Sequence, residues 1–575
     1  HRAAELSSLR ELPALPVYCL DPRQFKRTRY GTLKTGPVRA HFLLESILEL
    51  KRRLRSIGSD LLVQVGRPEE ILPTLLPKGS VLLTQEEVTS EELKLDRQLQ
   101  SSLLDGVEWE YCWGSTLFHK EDLPFRSDLR DMPDVYTRFK NSVEPELACP
   151  VNEVPPSFNG MPKAHSSIKA RPCFGEPKVD SLPLPGHLSD LLRFEPSWHD
   201  IPYAETVELP IPHKGAAFDF RGGEEAGLAR LQYYFREMSL VATYFDTRNG
   251  LLGADYSTKL APWLALGCIS PRKVFEQLRE HERTQAATKS TYWVLFGLGA
   301  RDFFRFFAKK HGNAIFRPGG PLGRRSEWRG GNDEFELWAH GRTGYPFIDA
   351  NMRELESTGF MSNRGRQNVA SFLVLDLHVD WRRGADWFES CLVDYDVTAN
   401  WSNWVFAAAL TGGRVNRFNV VRQSKMYDPE AAYIHHWLPE LRNVPASLAH
   451  EPWLMSDEQR REYAAEAYPP PCLLPSSFAG GTPGTPGTRP GKGGRGRGSG
   501  GEGRPLPRGR GGGEEGLGRK GAGRGSGAGV ASRPQEFYPA AGRQPVEGRV
   551  RRWRATRGAE EEGAEAGANY TKLFA

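Results

Sequence analysis

The chain has 575 residues, with 76 Lys and Arg side chains against 71 Asp and Glu, so its formal charge is only +5. This length predicts roughly two to four folded units and excludes a small scaffold that depends on disulfides for its stability. Seven cysteines without a Cys-x-x-Cys pair argue against a disulfide framework and a structural zinc site, and no apolar run is long enough for a transmembrane helix.

The first part of the chain alternates predicted strands with predicted helices. Apolar residues at three- and four-residue spacing predict a helix over 37–57, with Gly58 as a left-handed C-cap. Strands are predicted over 15–20, 60–66, 81–84 and 107–112, and further helices begin at Pro68 and at Ser90, the predicted N-cap of a helix to residue 104. This alternation predicts an α/β domain with a doubly wound parallel sheet. Because the chain opens on a polar stretch, the first strand is expected to be missing, which would leave an edge uncovered.

Composition divides the chain into four segments. The α/β domain covers 1–150, and an interdomain connector rich in Pro and Ser follows over 151–198. Residues 199–455 combine helical patterns with many tryptophans and predict a large all-α domain. After residue 471 the composition turns to Gly, Arg, Pro and Ser, which cannot bury enough apolar area to offset the entropy of ordering, and a C-terminal tail is assigned to 456–575. This C-terminal tail is therefore predicted to be disordered.

The net charge is divided unevenly between the folded body and the tail. Residues 471–575 hold 18 Lys and Arg, 9 Glu and 28 of the 60 glycines, which gives +9, and the remaining residues carry −4. The tail can therefore attract DNA or RNA in a non-specific and salt-sensitive way. The body would need a local basic patch for the same purpose.

The segment 244–272 is a strong local signal for an anion site. Within it, Ser257, Thr258 and Lys259 supply hydroxyls and backbone amides directly before a helix predicted over 260–266. Free N–H groups and hydroxyls at a helix start can bind a phosphate. The alternative is an N-capped helix with a glycine-rich approach and no ligand.

A second group of motifs carries a family resemblance. It comprises TGYPFIDANMREL from Thr343, MSNRGRQNVASFL from Met361, two aspartates near residue 395, and the stretch from Asn400 to Trp404. Together with segment 244–272, these motifs closely resemble the photolyase/cryptochrome flavoproteins. The residue sequence of these motifs, with Gln367 after Arg-Gly-Arg, is similar to that of the cryptochrome DASH branch. The resemblance covers residues 15–449, almost the whole predicted folded body.

The resemblance implies that the helical domain binds FAD in a U-shaped conformation. On the diphosphate side it places Tyr244, Arg248, Ser257, Thr258 and Leu260, and Lys259 is a further expected cofactor-binding residue. Arg366 and Asp394 would form an ion pair beside the isoalloxazine, since a reduced anionic flavin needs a nearby cation. Without the surrounding motif, this pair would be interpreted as an ordinary buried ion pair. Asp396 would accept a hydrogen bond from the flavin ring, and Asn400 would face flavin N5.

The resemblance also assigns Trp404, Trp381 and Trp328 to an electron-transfer chain that runs from the flavin to solvent. The alternative is core packing, which is the usual role of a tryptophan in a helical domain. The segment 132–144 is similar to the stretch that receives the antenna 5,10-methenyltetrahydrofolate, with Glu144 as the pterin-binding carboxylate. The alternative for Glu144 is a solvated carboxylate on a connecting helix.

The chain departs from the family at the surface expected to face DNA. In the aligned family motif, Gly297 would be Glu and Ala300 would be Trp, the two groups that in photolyases contact the pyrimidine dimer. The neighbouring residues expected to face substrate or DNA are Arg301, Asn363, Arg364 and Gln367. Losing an aromatic platform removes about 1–3 kcal/mol per stacked base, which argues against efficient repair.

Three functions are compatible with this sequence. The first is a deoxyribodipyrimidine photolyase, a carbon-carbon lyase that repairs cyclobutane pyrimidine dimers by photoinduced electron transfer, preferably in single-stranded DNA. The second is a blue-light photoreceptor that binds FAD and nucleic acid without efficient repair, which Gly297 and Ala300 favour. The third is an RNA- or DNA-binding protein whose main activity is nucleic-acid binding by its C-terminal tail. We expect an intracellular monomer that neither associates with a membrane nor binds a metal. The resemblance is compatible with a chloroplast or mitochondrial location.

Overall fold

The structure, a computed structural model, describes residues 2–143, 190–324, 327–413 and 417–473. Glu144, most of the predicted connector and the predicted tail from residue 474 lie outside the described residues, so the expectations for them stay predictions. Within the described part of the chain, no helix combines the length and the apolar character needed to span a bilayer.

Four short parallel strands occur in the described part of the α/β domain, at the positions that the hydrophobic runs predict. They are β1 (Val17–Leu20), β2 (Leu62–Val65), β3 (Val81–Gln85) and β4 (Glu108–Cys112). Val17 lies opposite Leu62, and Val81 lies opposite Glu108, both in parallel register. The prediction of a parallel α/β domain is confirmed. Its strands form two pairs, β1 with β2 and β3 with β4, and no described strand joins the pairs.

Helices flank these strands, and most of their ends agree with the sequence signals. They are α1 (Arg2–Arg10), α2 (Pro37–Ser56), α3 (Pro68–Leu75), α4 (Ser90–Ser102) and α5 (Tyr136–Val143). Gly58 has φ +76 after α2, so the predicted left-handed stop is confirmed. The N-cap of α4 is Thr89, because Ser90 already belongs to the helix. α1 was not predicted, and Arg2 anchors it to Glu110 of β4 at 2.6 Å.

The remaining described helices build the mostly α-helical domain that the sequence predicts. They are α6 (Glu224–Gln232), α7 (Tyr244–Thr247), α8 (Ala261–Leu266), α9 (Pro271–Thr284), α10 (Lys289–His311), α11 (Asn332–Ala339), α12 (Pro346–Thr358), α13 (Asn363–Ser371), α14 (Trp381–Cys391), α15 (Val397–Ala407), α16 (Val420–Tyr427), α17 (Ala432–Trp437), α18 (Ala446–Ala449) and α19 (Asp457–Glu462). The long α10 is almost entirely buried and packs against α5, α7, α9 and α15. It therefore organises one large apolar core.

Asp302 of α10 joins the helical domain to the segment that follows β4. It is fully buried, and its carboxylate accepts hydrogen bonds from the backbone N–H groups of Leu117 at 3.0 Å and Phe118 at 2.8 Å. Burial raises the pKa of Asp302 to about 7, and the two backbone donors oppose that rise. Asp302 thus contributes two of the hydrogen bonds that hold these sequence-distant parts of the chain together.

The folded body extends beyond the predicted start of the tail at residue 456. Residues 457–462 form α19, and Arg460 donates to the carbonyl oxygen of Tyr468. Tyr468 itself is buried and places its hydroxyl 2.6 Å from Asp349 of α12. The predicted boundary is wrong because the contacts of Arg460 and Tyr468 hold this polar segment against the core. The average composition of a segment does not reveal single contacts of this kind.

Candidate functional site

A large cavity lies among the helices of the α-helical domain. It holds about 1320 Å³ of empty space, a figure that counts the part open to solvent. Its wall comes from segment 256–265, α10, the segment that enters α13, and α14 with α15. The predicted site residues that line it are Tyr244, Arg248, Ser257, Thr258, Lys259, Leu260, Gly297, Arg301, Asn363, Arg366, Asp394, Asp396 and Asn400. The two motif regions of the sequence therefore meet at one site.

The loop before α8 is held from outside the cavity by the buried Arg230 of α6. Its guanidinium donates to the carbonyl oxygens of Ala254, Ser257 and Thr258 at 2.9–3.1 Å, and it pairs with Asp255 at 2.9 Å. These contacts hold the backbone of the loop, and Ser257 and Thr258 line the cavity. α8 has only 6 residues, so a ligand anion here would depend on the loop and not on the dipole of a long helix.

Lys259 is a buried cation of this loop. It has a left-handed backbone, φ +55, and its Nζ lies 3.4 Å from the ring centroid of Tyr256. Lys259 is only 3 % exposed, and among the described residues its Nζ has no hydrogen-bond partner. Burial lowers the pKa of Lys259 to about 7, and Glu354 opposes that fall. A buried amine without a partner is costly unless a ligand anion binds it.

The predicted ion pair between Arg366 of α13 and Asp394 is formed in the cavity wall. Arg366 Nη2 lies 2.8 Å from Asp394 Oδ2, and its Nε donates to the carbonyl oxygen of Met361 at 2.9 Å. The other carboxylate oxygen, Oδ1, is buried and has no hydrogen-bond partner within the described part of the chain. The pair therefore combines a fixed positive charge with one acceptor that is still available to a ligand.

Asp396 has a structural role at the start of α15 as well as a place in the cavity wall. Its Oδ1 accepts from the backbone N–H groups of Thr398 and Ala399 at 2.9 Å, which makes it the N-cap of α15. Its Oδ2 lies 3.8 Å from Arg301. Burial alone would raise the pKa of Asp396, but Arg301 and these donors hold it below its ordinary value. Asp396 therefore stays ionised beside the cavity.

Asn400 and Trp404 lie one turn apart on α15, so they occupy the same side of the helix. Asn400 Nδ2 donates to the carbonyl oxygen of Ala385 at 2.9 Å, which fixes the orientation of its amide at the cavity. Trp404 is fully buried behind it, 5.1 Å from the ring of Phe388, which also lines the cavity. Gly384 allows this close approach of α14 and α15, because a Cβ there would lie 2.3 Å from Trp404.

Trp381 and Trp328 lie away from the cavity, on the side of α14. Trp381, the first residue of α14, is fully buried, and its Nε1 donates to the carbonyl oxygen of Pro318 at 3.2 Å. Trp328 is half-buried. The nearby Gly330 N–H donates to the carbonyl oxygen of His378 at 3.0 Å, which holds the segment of Trp328 against the chain that enters α14. The three tryptophans of the predicted electron-transfer chain, called the relay below, are thus fully buried at Trp404 and Trp381 and half-buried at Trp328.

The residues expected to face DNA separate into two groups. Gly297, Arg301 and Asn363 line the cavity. The other three are buried, and they are Ala300, Arg364 and Gln367. Arg301 is also held by the backbone carbonyls of Ser115 and Leu264. The structure therefore brings only part of this predicted surface to the cavity.

Arg364 is held by residues from three separate parts of the chain. It donates to Gln367 at 3.0 Å and to Asn249 at 3.1 Å, and its guanidinium lies 4.2 Å from the ring centroid of Tyr427. Burial lowers the pKa of Arg364, and the nearby Arg248 adds to this effect. The sequence pattern groups Arg364 with Asn363, but their side chains have different environments because successive residues of a helix point in different directions.

Among the polar residues of the cavity wall that were not predicted, two have a buried polar atom without a partner in the described part of the chain. The hydroxyl of Tyr256 and the amide oxygen of Asn403 are buried and have no partner among the described side chains and backbone. A helical spacing of three residues from Asn400 could have revealed Asn403. Together with Lys259 and Asp394, these atoms offer donors and acceptors to one ligand, which suits an anionic group joined to a heteroaromatic ring. In the described part of the chain, no cluster of three His, Cys, Asp or Glu side chains could hold a metal ion.

Comparisons with known proteins identify the family of this chain. The profile described as the FAD binding domain of DNA photolyase matches residues 293–475, and that described as DNA photolyase matches residues 2–157. The chain is 43% identical over 465 residues to a cryptochrome DASH of Synechocystis sp., covering 80% of this chain and 89% of that protein. It is 44% identical over 488 residues to a chloroplastic/mitochondrial cryptochrome DASH of Ostreococcus tauri, covering 82% of this chain and 87% of that protein.

A solved structure agrees with these sequence matches. The crystal structure of the Synechocystis sp. cryptochrome superimposes with a TM-score of 0.74 at 42% identity, and it covers 83% of this chain and 94% of that chain. The described cavity lies within the domain that the FAD-binding profile and segment 244–272 together define. This chain is therefore a cryptochrome DASH member of the photolyase/cryptochrome family, with an FAD-binding domain.

Proposed function

We propose that this protein is a blue-light-absorbing flavoprotein whose cavity holds FAD between the loop of Lys259 and the pair Arg366–Asp394. The buried Lys259 Nζ, which has no partner among the described residues, carries this proposal because it calls for an anion at the place where the loop hydroxyls converge. Bound FAD would supply absorption of blue light and one-electron chemistry. The direct test is the visible spectrum of the purified chain, and the absence of flavin bands after reconstitution would refute the proposal.

The cavity residues divide into two roles in this proposal. Tyr244, Arg248, Ser257, Thr258, Lys259 and Leu260 would hold the diphosphate. Arg366, Asp394, Asp396 and Asn400 would hold and orient the flavin ring. The fixed charge of Arg366 favours an anionic ring, and the oriented amide of Asn400 can hold a proton at flavin N5. Trp404 would donate an electron toward the cavity. Trp381 would then reduce the oxidised Trp404, and Trp328 would reduce the oxidised Trp381.

The pH dependence of FAD binding is the first test of Lys259. In the free protein its amine is charged below about pH 7 and neutral above it, because burial lowers its pKa to about 7. The diphosphate requires the charged amine, so affinity is expected to fall as pH rises above 7, by up to about tenfold per pH unit. Isothermal titration between pH 6 and 9, in buffers of different ionisation enthalpy, measures both the affinity and the proton uptake.

Two variants control this measurement. Lys259→Met should weaken FAD binding, flatten its pH dependence and raise the melting temperature of the free protein, since a buried unpaired charge is removed. Glu354→Gln should move the fall in affinity to lower pH, because the Glu354 carboxylate supports the charge of Lys259. The remaining charged groups near the amine are Arg230, which lowers its pKa, and Asp255, which raises it. A wild-type affinity that is flat between pH 6 and 9 would refute this role of Lys259.

We further infer that the protein binds DNA, preferably single-stranded, at this cavity and that its repair of cyclobutane pyrimidine dimers is inefficient. Gly297 contributes no side chain to the cavity wall, and Ala300 is fully buried and does not line it. A photoreceptor that binds nucleic acid without efficient repair is therefore favoured over a photolyase. Loss of an aromatic side chain that stacks on a flipped base weakens binding of that base by about 1–3 kcal/mol, or roughly 5- to 150-fold in affinity.

Dimer repair on single-stranded DNA under blue light tests this inference. Gly297→Glu, Ala300→Trp and the double variant should each be compared with the unmodified chain. We expect the double variant to repair faster, with Gly297→Glu as the cleaner single change because Gly297 lines the cavity whereas Ala300 is fully buried. Melting curves check that the larger side chain leaves the fold intact. Repair by the unmodified chain at the rate of the double variant would show that neither replacement matters.

Two further assignments remain proposals. The antenna 5,10-methenyltetrahydrofolate would bind near segment 132–144, where Tyr136 donates to the carbonyl oxygen of Phe296 at 2.7 Å. Its predicted carboxylate, Glu144, lies outside the described residues. Non-specific binding of DNA or RNA by residues 471–575 is supported by their charge of +9.

A further inference from the structure

A fourth tryptophan, Trp401, contacts the proposed relay. It lies one turn before Trp404 on α15, and its ring centroid is 5.9 Å from that of Trp381 at an interplanar angle of 78°. Trp401 is buried, and Phe316 packs edge-on against it at 5.0 Å. It does not line the cavity, so it contacts the relay and not the ligand.

The indole N–H of Trp401 differs from those of the relay tryptophans in its hydrogen-bond partner. Trp401 Nε1 donates to the Glu389 carboxylate at 3.0 Å, and this contact is buried. Trp381 Nε1 donates to a backbone carbonyl, which is a very weak base. The Nε1 atoms of Trp404 and Trp328 have no partner among the described residues. Of these four indoles, only Trp401 has a base in position to take its proton.

Glu389 is suited to accept a proton. It lies on α14, is only 6 % exposed, and has the cationic side chains of Lys34 and Arg39 nearby. Burial raises the pKa of Glu389, while Lys34 and Arg39 oppose the rise and favour the ionised form, as does Tyr395. A carboxylate with a raised pKa is a stronger base than an ordinary one, and so a more effective acceptor for the proton of an acidic N–H group.

We propose that Trp401 is a redox-active side branch of the tryptophan relay and that Glu389 accepts its proton. Once Trp381 has lost an electron toward a photoexcited flavin, Trp401 passes one electron to the oxidised Trp381. The Nε1–H bond of Trp401 then breaks, and its proton moves to Oε2 of Glu389. The step yields restored Trp381, a neutral indolyl radical at Trp401 and a neutral carboxylic acid at Glu389, so charge and atoms balance.

Transfer of the proton is expected to slow the return of the electron from the flavin. Loss of the proton leaves no positive charge on Trp401, so return of the electron requires the proton to come back as well. Charge separation should therefore last longer than in a relay that ends on a cationic radical. The inference depends on the proposed function, because it requires light-driven electron transfer through Trp404.

Time-resolved visible absorption of the full chain reconstituted with FAD provides the test, since neutral and cationic tryptophanyl radicals have distinct spectra. In the unmodified protein we expect the neutral radical, formed more slowly in deuterium oxide. Trp401→Phe should shorten the charge-separated state by about tenfold or more, equivalent to roughly 1.4 kcal/mol. Glu389→Gln should leave the radical cationic and abolish the isotope effect. Trp387→Phe, a change at another tryptophan of α14, should alter neither property.

Infrared difference spectroscopy supplies a second readout. Illumination should produce the carbonyl band of a protonated buried carboxyl, and Glu389→Gln and Trp401→Phe should each remove it. If neither variant changes the radical spectrum or this band while Trp404→Phe abolishes the radical signal, the side branch is refuted and the relay stands. If Trp404→Phe leaves the radical signal intact, the proposed relay itself fails.

Discussion

Replacement of Trp404 by Phe is expected to slow photoreduction of the bound flavin by about tenfold or more, a change of at least roughly 1.4 kcal/mol in the activation free energy. Trp404 is fully buried directly behind Asn400 and Phe388, which line the cavity, so it is the relay tryptophan nearest to a ligand there. Phenylalanine retains most of the packing but is far harder to oxidise. The rate is measured from the loss of oxidised-flavin absorbance under blue light with an external reductant.

Flavin content and a matched variant separate this redox effect from a packing effect. Trp404 makes no hydrogen bond through Nε1 to any described residue, so its replacement by Phe orphans no polar group. Trp387→Phe changes a half-buried tryptophan of α14 that packs against Phe335 and His340, and it should leave the rate unchanged. A normal rate in Trp404→Phe, with normal flavin content, would contradict the relay.

Replacement of Arg366 by Ala is expected to cost both stability and flavin. The change leaves the Asp394 carboxylate buried without its partner at 2.8 Å, which typically destabilises a protein by about 3–5 kcal/mol. It also removes the fixed positive charge that we assign to the flavin ring, and loss of a charge-assisted contact worth about 1.5–3 kcal/mol weakens binding roughly 10- to 150-fold. Urea unfolding of the free protein and flavin titration measure the two effects separately.

The double variant Arg366→Ala with Asp394→Ala distinguishes stability from binding. Removing both charges leaves no orphaned carboxylate, so the double variant should be more stable than Arg366→Ala alone. Its affinity for flavin should nevertheless stay low, because the contacts to the ring are still absent. Recovery of flavin binding together with stability would show that the pair only supports the fold, which is the alternative that the sequence leaves open.

Local sequence patterns predicted those parts of the protein that depend on residues close together in the chain. The four strands and the start of α2 and α3 follow from hydrophobic spacing and proline placement, which act within one element. The N-cap of α4 was displaced by one residue, because Thr89 and Ser90 carry equivalent hydroxyls. The motif around Arg366 identified the family without any knowledge of the packing.

The sequence by itself determined the family, the FAD-binding domain and the residue types of the site, because those are carried by continuous motifs. The tertiary structure alone decided which side chains share an environment. Lys259 is buried without a partner among the described residues because segments far apart in the chain close around it. Trp401 meets both Trp381 and Glu389 only because α14 and α15 pack closely at Gly384. Such contacts depend on the packing of helices, which no local spacing of residues encodes.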